Sequence, residues 1–290
     1  MTLIALIPYK DGILSVSDSM CNYYPAKYSN VDEFESEVYT KQVRKSFVSK
    51  DGNVVVSMAG TSIDVAGMAA RMVIDNAANL EEGDIKTLRD DLVSMVQHIN
   101  DSYGYAWAYY KAGMLCAVNR TNGKIEPLMI MLDSDNVEIY SAKGKNFDDV
   151  GCAIGVPSNE KDALKELIKA HAPKRSDRTL EDAMAIGIML ENIYINKKLP
   201  ERTMAGKAYI FQVGAPIRME AVSKNGQTNL VVSENDSKVL YNRNFDSIRA
   251  FVAEKLKKEE KTEDTAQIKT FVRNTGEKHE HEKKLSKNSR

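Results

Sequence analysis

The chain begins with Met1-Thr2-Leu3-Ile4-Ala5-Leu6-Ile7, and the interpretation of the rest depends on this stretch. An apolar run of this kind predicts a buried strand. Because the second residue is small, we expect Met1 to be removed, so that the mature chain begins at Thr2. A terminal threonine carries an α-amine and a hydroxyl on one residue, which can serve as base and nucleophile. Taken alone, the stretch fits an ordinary first strand better.

Composition places the chain among soluble globular proteins. It has 290 residues, of which 43% are hydrophobic and 28% charged, enough for one large domain or two small ones. The net charge of −1 gives no reason to expect nucleic acid or an anionic membrane as partner. We find neither a membrane-spanning run nor a signal-peptide pattern. The three cysteines are odd in number and widely spaced, which favours neither disulfides nor zinc. We therefore expect a cytoplasmic protein without cofactor or metal.

A turn signal follows the first strand. Lys10-Asp11-Gly12 separates residues 2–7 from a second β-like run that ends at Asp18, which predicts a hairpin. Antiparallel pairing would then bring Asp18 close to Thr2. Residues 20–40 are polar and aromatic without a sustained period, and we predict a long loop there.

The remaining pattern predicts alternating groups of strands and helices. Strands are expected at 43–48, 53–58, 105–110, 114–118, 127–132, 137–141, 208–213, 217–222 and 230–233. Helices are expected from Ser62 into the seventies, at 86–100, from a cap at Ser158 to about His171, from about Thr179 to Asn196, and at 245–257. Two hairpin-built sheets packed together, with helix pairs outside, would satisfy this order, which is an α+β layered sandwich.

The predicted domain organisation has three parts. The main domain covers residues 2–220, and a strand and helix extension covers 221–253. The tail at 254–290 holds 11 Lys or Arg and 8 Asp or Glu with few large apolar residues, which is typical of a disordered appendage.

In their joint order these features resemble a proteasome β-type subunit of the N-terminal nucleophile (Ntn) hydrolases. The hairpin from Thr2 to Asp18 is similar to the family's opening threonine strand and acidic residue. Arg44-Lys45-Ser46-Phe47 is similar to the segment with its active-site lysine, and Met58-Ala59-Gly60-Thr61 to its strand-to-helix turn. The turn at 151–158 also fits, and the resemblance extends from about residue 2 to 215. It implies a four-layer αββα sandwich.

The resemblance also implies roles for individual residues. Thr2 is the nucleophile with its own amine as base, Lys45 keeps that amine unprotonated, and Asp18 orients Lys45. Gly60 presents its N–H to the oxyanion, and Met58 lines the substrate pocket. The simpler interpretations are a surface ion pair for Lys45 with Asp18, a helix-entry glycine for Gly60, and core packing for Met58.

Two departures from the family pattern leave three functions open. Val156 stands where the family has a serine, and Pro200-Glu201-Arg202-Thr203-Met204-Ala205-Gly206 lacks its Asp-x-x-Ser arrangement. The first function is a threonine-type endopeptidase acting on peptides or proteins, in a ring of identical or related proteasome-like subunits. The second is a monomeric transpeptidase or protein ligase. The third is a proteasome-like scaffold subunit without activity.

Overall fold

The computed structural model describes most of the chain up to residue 259. The described residues are 3–23, 39–60, 63–77, 85–103, 111–120, 122–133, 136–141, 145–155, 162–195, 199–202, 208–211, 213–224 and 226–259. One compact unit spans Met1–Arg249, and a second begins at Ala250. Thr2 and the tail beyond 259 lie outside the described residues, and so do the strand predicted at 105–110 and the cap predicted at Ser158.

The first sheet contains the predicted opening hairpin. Its strands are β1 (Ile4–Tyr9), β2 (Gly12–Ser17), β10 (Cys152–Ile154), β13 (Ile217–Ser223) and β14 (Gly226–Val232). They lie in the order β10-β1-β2-β13-β14, and each neighbouring pair is antiparallel. Tyr9 pairs with Gly12 at the turn and Ile4 with Ser17 at the open end, which confirms the hairpin.

The second sheet is an antiparallel series of hairpins. It contains β5 (Ser46–Val48), β6 (Val54–Gly60), β7 (Lys111–Asn119), β8 (Ile125–Asp133) and β9 (Asn136–Ser141), in that order. Two shorter ladders pair β3 (Met20–Tyr23) with β4 (Tyr39–Gln42) and β11 (Leu199–Arg202) with β12 (Ala208–Phe211). The loop predicted for 20–40 is therefore wrong at both ends. These segments form strands through backbone pairing, although their sequences lack an alternating apolar pattern.

Seven helices complete the described residues. They are α1 (Ile63–Ala77), α2 (Ile85–Tyr103), α3 (Lys145–Val150), α4 (Ala163–His171), α5 (Leu180–Tyr194), α6 (Glu234–Leu240) and a helix at 245–259, here α7. The start of α5 is as predicted: Thr179 and Asp182 form a capping box, in which each side chain bonds the other's backbone N–H. The helix ending at His171 begins at Ala163, later than predicted.

Among the described residues, two apolar cores lie on either side of the second sheet. The first lies between the sheets and combines Ile4, Leu6 and Ile13 of the first sheet with Val55, Leu115 and Ala117 of the second. The other lies between the second sheet and helices α1 and α2. Helix α5 packs against β1, β2 and β13 of the first sheet. The chain thus has an α+β fold with two antiparallel sheets and helices packed against each.

Polar side chains also connect the sheets. The hydroxyls of Ser15 on β2 and Ser57 on β6 lie 2.6 Å apart, and the Ser46 hydroxyl donates to the Glu220 carboxylate of β13. Arg44, half-exposed, reaches the same carboxylate at 3.2 Å. Burial raises the pKa of Glu220, and the charge of Arg44 opposes this shift. These contacts fix how the two inner faces meet.

Close approach of α5 to the first sheet depends on Gly187. A Cβ at this position would lie 2.8 Å from Val16 Cγ2 and 3.7 Å from Ile7 Cδ1. A methyl group would therefore displace the helix or push Val16 from its rotamer. At Gly67 of α1 the nearest atom to an added Cβ is Met58 Cε, at an ordinary 3.9 Å.

We expect Gly187→Ala to be destabilising and Gly67→Ala to be stabilising. Both replacements gain about 0.5–1 kcal/mol of helix propensity, but only Gly187→Ala adds an overpacking term of about 1–3 kcal/mol. The difference in unfolding free energy between the two variants, measured by denaturant titration, gives the cost of the contact between a Cβ at position 187 and Val16. Equal values would show that α5 does not depend on this close approach.

Candidate active site

Asp18 follows β2 and binds three separate segments of the chain through its carboxylate. Oδ1 accepts a hydrogen bond from Leu3 N at 3.2 Å. Oδ2 accepts bonds from Met20 N at 2.9 Å and Gly214 N at 3.4 Å. The Asp18 amide donates in turn to Leu3 O at 3.2 Å. Both backbone groups of the residue after Thr2 are therefore held by Asp18.

Lys45 completes this arrangement. Its Nζ lies 2.9 Å from Asp18 Oδ1 and also donates to the Met20 carbonyl, and both charged side chains are 0% exposed. The position of Lys45 just before β5 is fixed by β6, because Met58 N donates to Lys45 O at 2.9 Å. The structure thus brings Asp18 and Lys45 together in the interior, which excludes a surface ion pair.

Opposing effects act on the ionisation of Asp18. Burial raises the pKa of its carboxyl, while the charge of Lys45 and the N–H groups of Met20 and Gly214 lower it. Bringing two charges out of water costs several kcal/mol per ion, and good geometry must offset this cost. A buried charged pair is therefore weak evidence for a stabilising role, and a catalytic role would explain its presence better.

Of the other predicted residues, the structure describes Gly60 and Met58. Gly60 is the last residue of β6 and is partly exposed, three residues before the described start of α1 at Ile63. The Met58 side chain, 2% exposed, packs in the core that the second sheet forms with α1 and α2. Only its backbone N–H touches the site. Thr2 and Val156 lie outside the described residues, and so does the segment 203–207.

Sequence reasoning missed Glu191, which interacts electrostatically with Asp18 and Lys45. It lies on α5, is fully buried, and neither carboxyl oxygen has a hydrogen-bond partner among the described residues. Burial raises its pKa well above the ordinary value; the charge of Asp18 raises it further and that of Lys45 lowers it. Glu191 lies four residues after Gly187 and eight after Ala183, and this spacing on one helix face was the available signal for a core-facing position.

Comparison with solved structures finds chains that share the overall fold. A solved structure of the Anbu (Gly-1) mutant from Hyphomicrobium sp. strain MC1 matches with a TM-score of 0.50 and 12% identity, over 91% of this chain and 100% of that one. Anbu (ancestral beta-subunit) from Yersinia bercovieri matches with a TM-score of 0.48 and 17% identity, over 88% of this chain and 93% of that one. No family model and no curated protein matches.

These findings correct the assignment to the proteasome β-type subunits, which is wrong as a statement of family. The solved structure that matches with a TM-score of 0.50 is of an Anbu protein, and at 12% identity the likeness shows the fold alone. Within the described residues, no helix has both the length and the apolar character needed to cross a bilayer.

Proposed function

We propose that this protein is a threonine-type Ntn hydrolase that cleaves peptide bonds through an acyl-enzyme on Thr2. The observation that carries the proposal is the buried Asp18–Lys45 pair, bonded to the residue that follows Thr2. The proposal includes a four-layer helix–sheet–sheet–helix arrangement, supported by the core between the sheets and by the packing of α1, α2 and α5.

The proposed base is the α-amine of Thr2 after loss of Met1. Such amines have a pKa of about 7.7–8.0, so a useful fraction is neutral near physiological pH. A nearby positive charge disfavours protonation and lowers this pKa further. Lys45 supplies that charge in the proposal, and Asp18 holds its ammonium group in place.

The reaction then proceeds in two steps. Thr2 Oγ attacks the peptide carbonyl carbon while its amine takes the hydroxyl proton, and the carbonyl oxygen becomes an oxyanion. The amine returns this proton to the leaving nitrogen as the C–N bond breaks, which leaves an ester on Thr2. Water, deprotonated by the same amine, attacks the ester carbonyl carbon; the bond to Thr2 Oγ breaks, the amine returns the proton to Oγ, and the product leaves as a carboxylic acid. Gly60 N–H is the proposed oxyanion donor, and one such donor contributes about 2.7–4 kcal/mol to transition-state stabilisation.

Intact mass and a peptide epoxyketone test this proposal. The purified protein is expected to lack Met1 and to form one covalent adduct, localised to Thr2 by peptide mapping. Thr2→Ala is the control, because it should lose the adduct while keeping wild-type thermal unfolding. Retention of Met1 would separate the amine from the hydroxyl and refute the mechanism. A Met1-free chain that forms no adduct would instead support the inactive scaffold.

A further inference from the structure

Glu191 lies beside Asp18 because of the register between α5 and β2. Gly187 faces Val16, with 2.8 Å from its added Cβ to Val16 Cγ2. One helical turn leads from Gly187 to Glu191, an advance of about 6 Å, and two strand residues lead from Val16 to Asp18, about 6.6 Å. Lys10 N donates to Arg178 O, so the residues before β2 and before α5 meet and the two elements run in the same direction. The two advances therefore match, and Glu191 interacts electrostatically with both Asp18 and Lys45.

The hydrogen bonds distinguish the two carboxyl groups. Asp18 accepts bonds from three backbone N–H groups and from Lys45 Nζ, all of which favour its ionised form. Glu191 has none of these donors and is fully buried. A buried carboxyl group without donors retains its proton, since ionisation without compensation is costly in a low-dielectric interior.

The charged groups around Glu191 are few. Asp18 comes from the end of β2 and Lys45 from the segment before β5, and within the described residues no other charged group contributes to its electrostatic environment. Glu220 of β13 is engaged by Ser46 and Arg44 instead. With Lys45 and Asp18 ionised and Glu191 protonated, the cluster has zero net charge.

We propose that Glu191 is a positioning residue of the active site, a neutral carboxylic acid whose proton preserves the Asp18–Lys45 pair. When this proton leaves, the second carboxylate competes with Asp18 for Lys45 Nζ. It also offsets the positive charge that acts on the Thr2 amine. The role in catalysis rests on the proposed function, whereas the buried proton does not.

A first experiment detects the proton without any assay of activity. The pKa of Glu191 is higher in the folded than in the unfolded chain, so the folded state binds more protons between the two values. Stability is then fully present below the unfolded pKa, near about 4.3, and is lost as pH rises towards the folded pKa. In that window the unfolding constant of the wild type should rise about tenfold per pH unit relative to Glu191→Gln.

A second experiment tests the positioning role by the pH profile of kcat/KM for a fluorogenic peptide. The wild type should lose activity above the pH at which Glu191 ionises, and Glu191→Gln should retain activity there because it stays neutral. Glu191→Leu is also neutral and leaves no unsatisfied amide, so it serves if Glu191→Gln folds poorly. Glu181 is partly exposed on the same helix. Glu181→Gln is therefore expected to keep the wild-type pH dependence of both the unfolding free energy and kcat/KM.

The outcomes separate the claims. If the unfolding free energies of the wild type and Glu191→Gln depended on pH in the same way, the buried proton would be refuted. Diverging stability curves with identical pH profiles of kcat/KM would refute the positioning role. A wild type without hydrolase activity or epoxyketone adduct, but with diverging stability curves, would refute the proposed function and the role in catalysis while supporting the buried proton.

Discussion

Lys45→Met is expected to lower the free energy of unfolding by about 3–5 kcal/mol, because it leaves the Asp18 carboxylate buried without its cation. The three backbone donors to Asp18 would remain, but they carry no full charge. Unfolding by denaturant at pH 7 measures the loss. The same variant should abolish reaction with the epoxyketone if Lys45 keeps the Thr2 amine unprotonated.

A double-mutant cycle separates the missing charge from the lost methylene packing. Combining Lys45→Met with Asp18→Asn removes both charges, so the double variant should be markedly more stable than the sum of the single changes predicts. Lys238→Met is the surface control. Its pair with Glu234 on α6 is 70% and 60% exposed, and such pairs contribute less than about 0.5 kcal/mol. Additive effects, or equal losses at Lys45 and Lys238, would contradict the buried pair.

Arg178→Met is expected to lower the free energy of unfolding by a similar amount, about 3 kcal/mol or more. The Arg178 side chain is fully buried between α4 and α5, and its guanidinium donates to the carbonyls of Ala172 at 2.9 Å, Pro173 at 3.4 Å and Pro8. Its own carbonyl accepts from Lys10 N at 2.9 Å. Each buried acceptor left without a partner costs about 1–3 kcal/mol, and the loss is compounded because one side chain serves three carbonyls.

Arg175→Met is the matched control for Arg178. It lies in the same connection and bonds the Tyr9 carbonyl and Asp148, but its side chain is 31% exposed, so water can replace its contacts. We expect a loss of about 1 kcal/mol or less in denaturant unfolding. Arg178→Lys should fall between the two, because a single ammonium group cannot span three carbonyls. A tolerated Arg178→Met would show that water enters this connection.

Local chemistry made several elements predictable from sequence. The turn Lys10-Asp11-Gly12 determined the first hairpin, and the Thr179 cap determined the start of α5, because both signals involve residues close in the chain. The glycine-flanked sequence of β10 predicts a turn. The segment instead forms a strand of three residues, because it pairs with β1. Long-range pairing is not encoded in so short a pattern.

The site was predictable where it depends on the hairpin and on resemblance, and unpredictable where it depends on packing. Asp18 and Lys45 meet as expected, although their complete burial follows from both sheets closing around them. Glu191 was missed because helix α5 is apolar on most sides, so its sequence does not say which face meets the first sheet. The resemblance implies a substrate-pocket role for Met58, with core packing as the simpler interpretation, and its side chain packs in the core beside α1.

The bond from Gly214 to Asp18 also has a consequence for the timing of biosynthesis. The donor lies 196 positions after the acceptor, three residues before β13, which must insert between β2 and β14. A ribosome releases the segment 3–45 long before this donor exists. During translation the emerging amino terminus therefore lacks part of the setting around Asp18. That setting closes only after residue 214 has been synthesised, which delays the maturation of any activity until the segment before β13 is available.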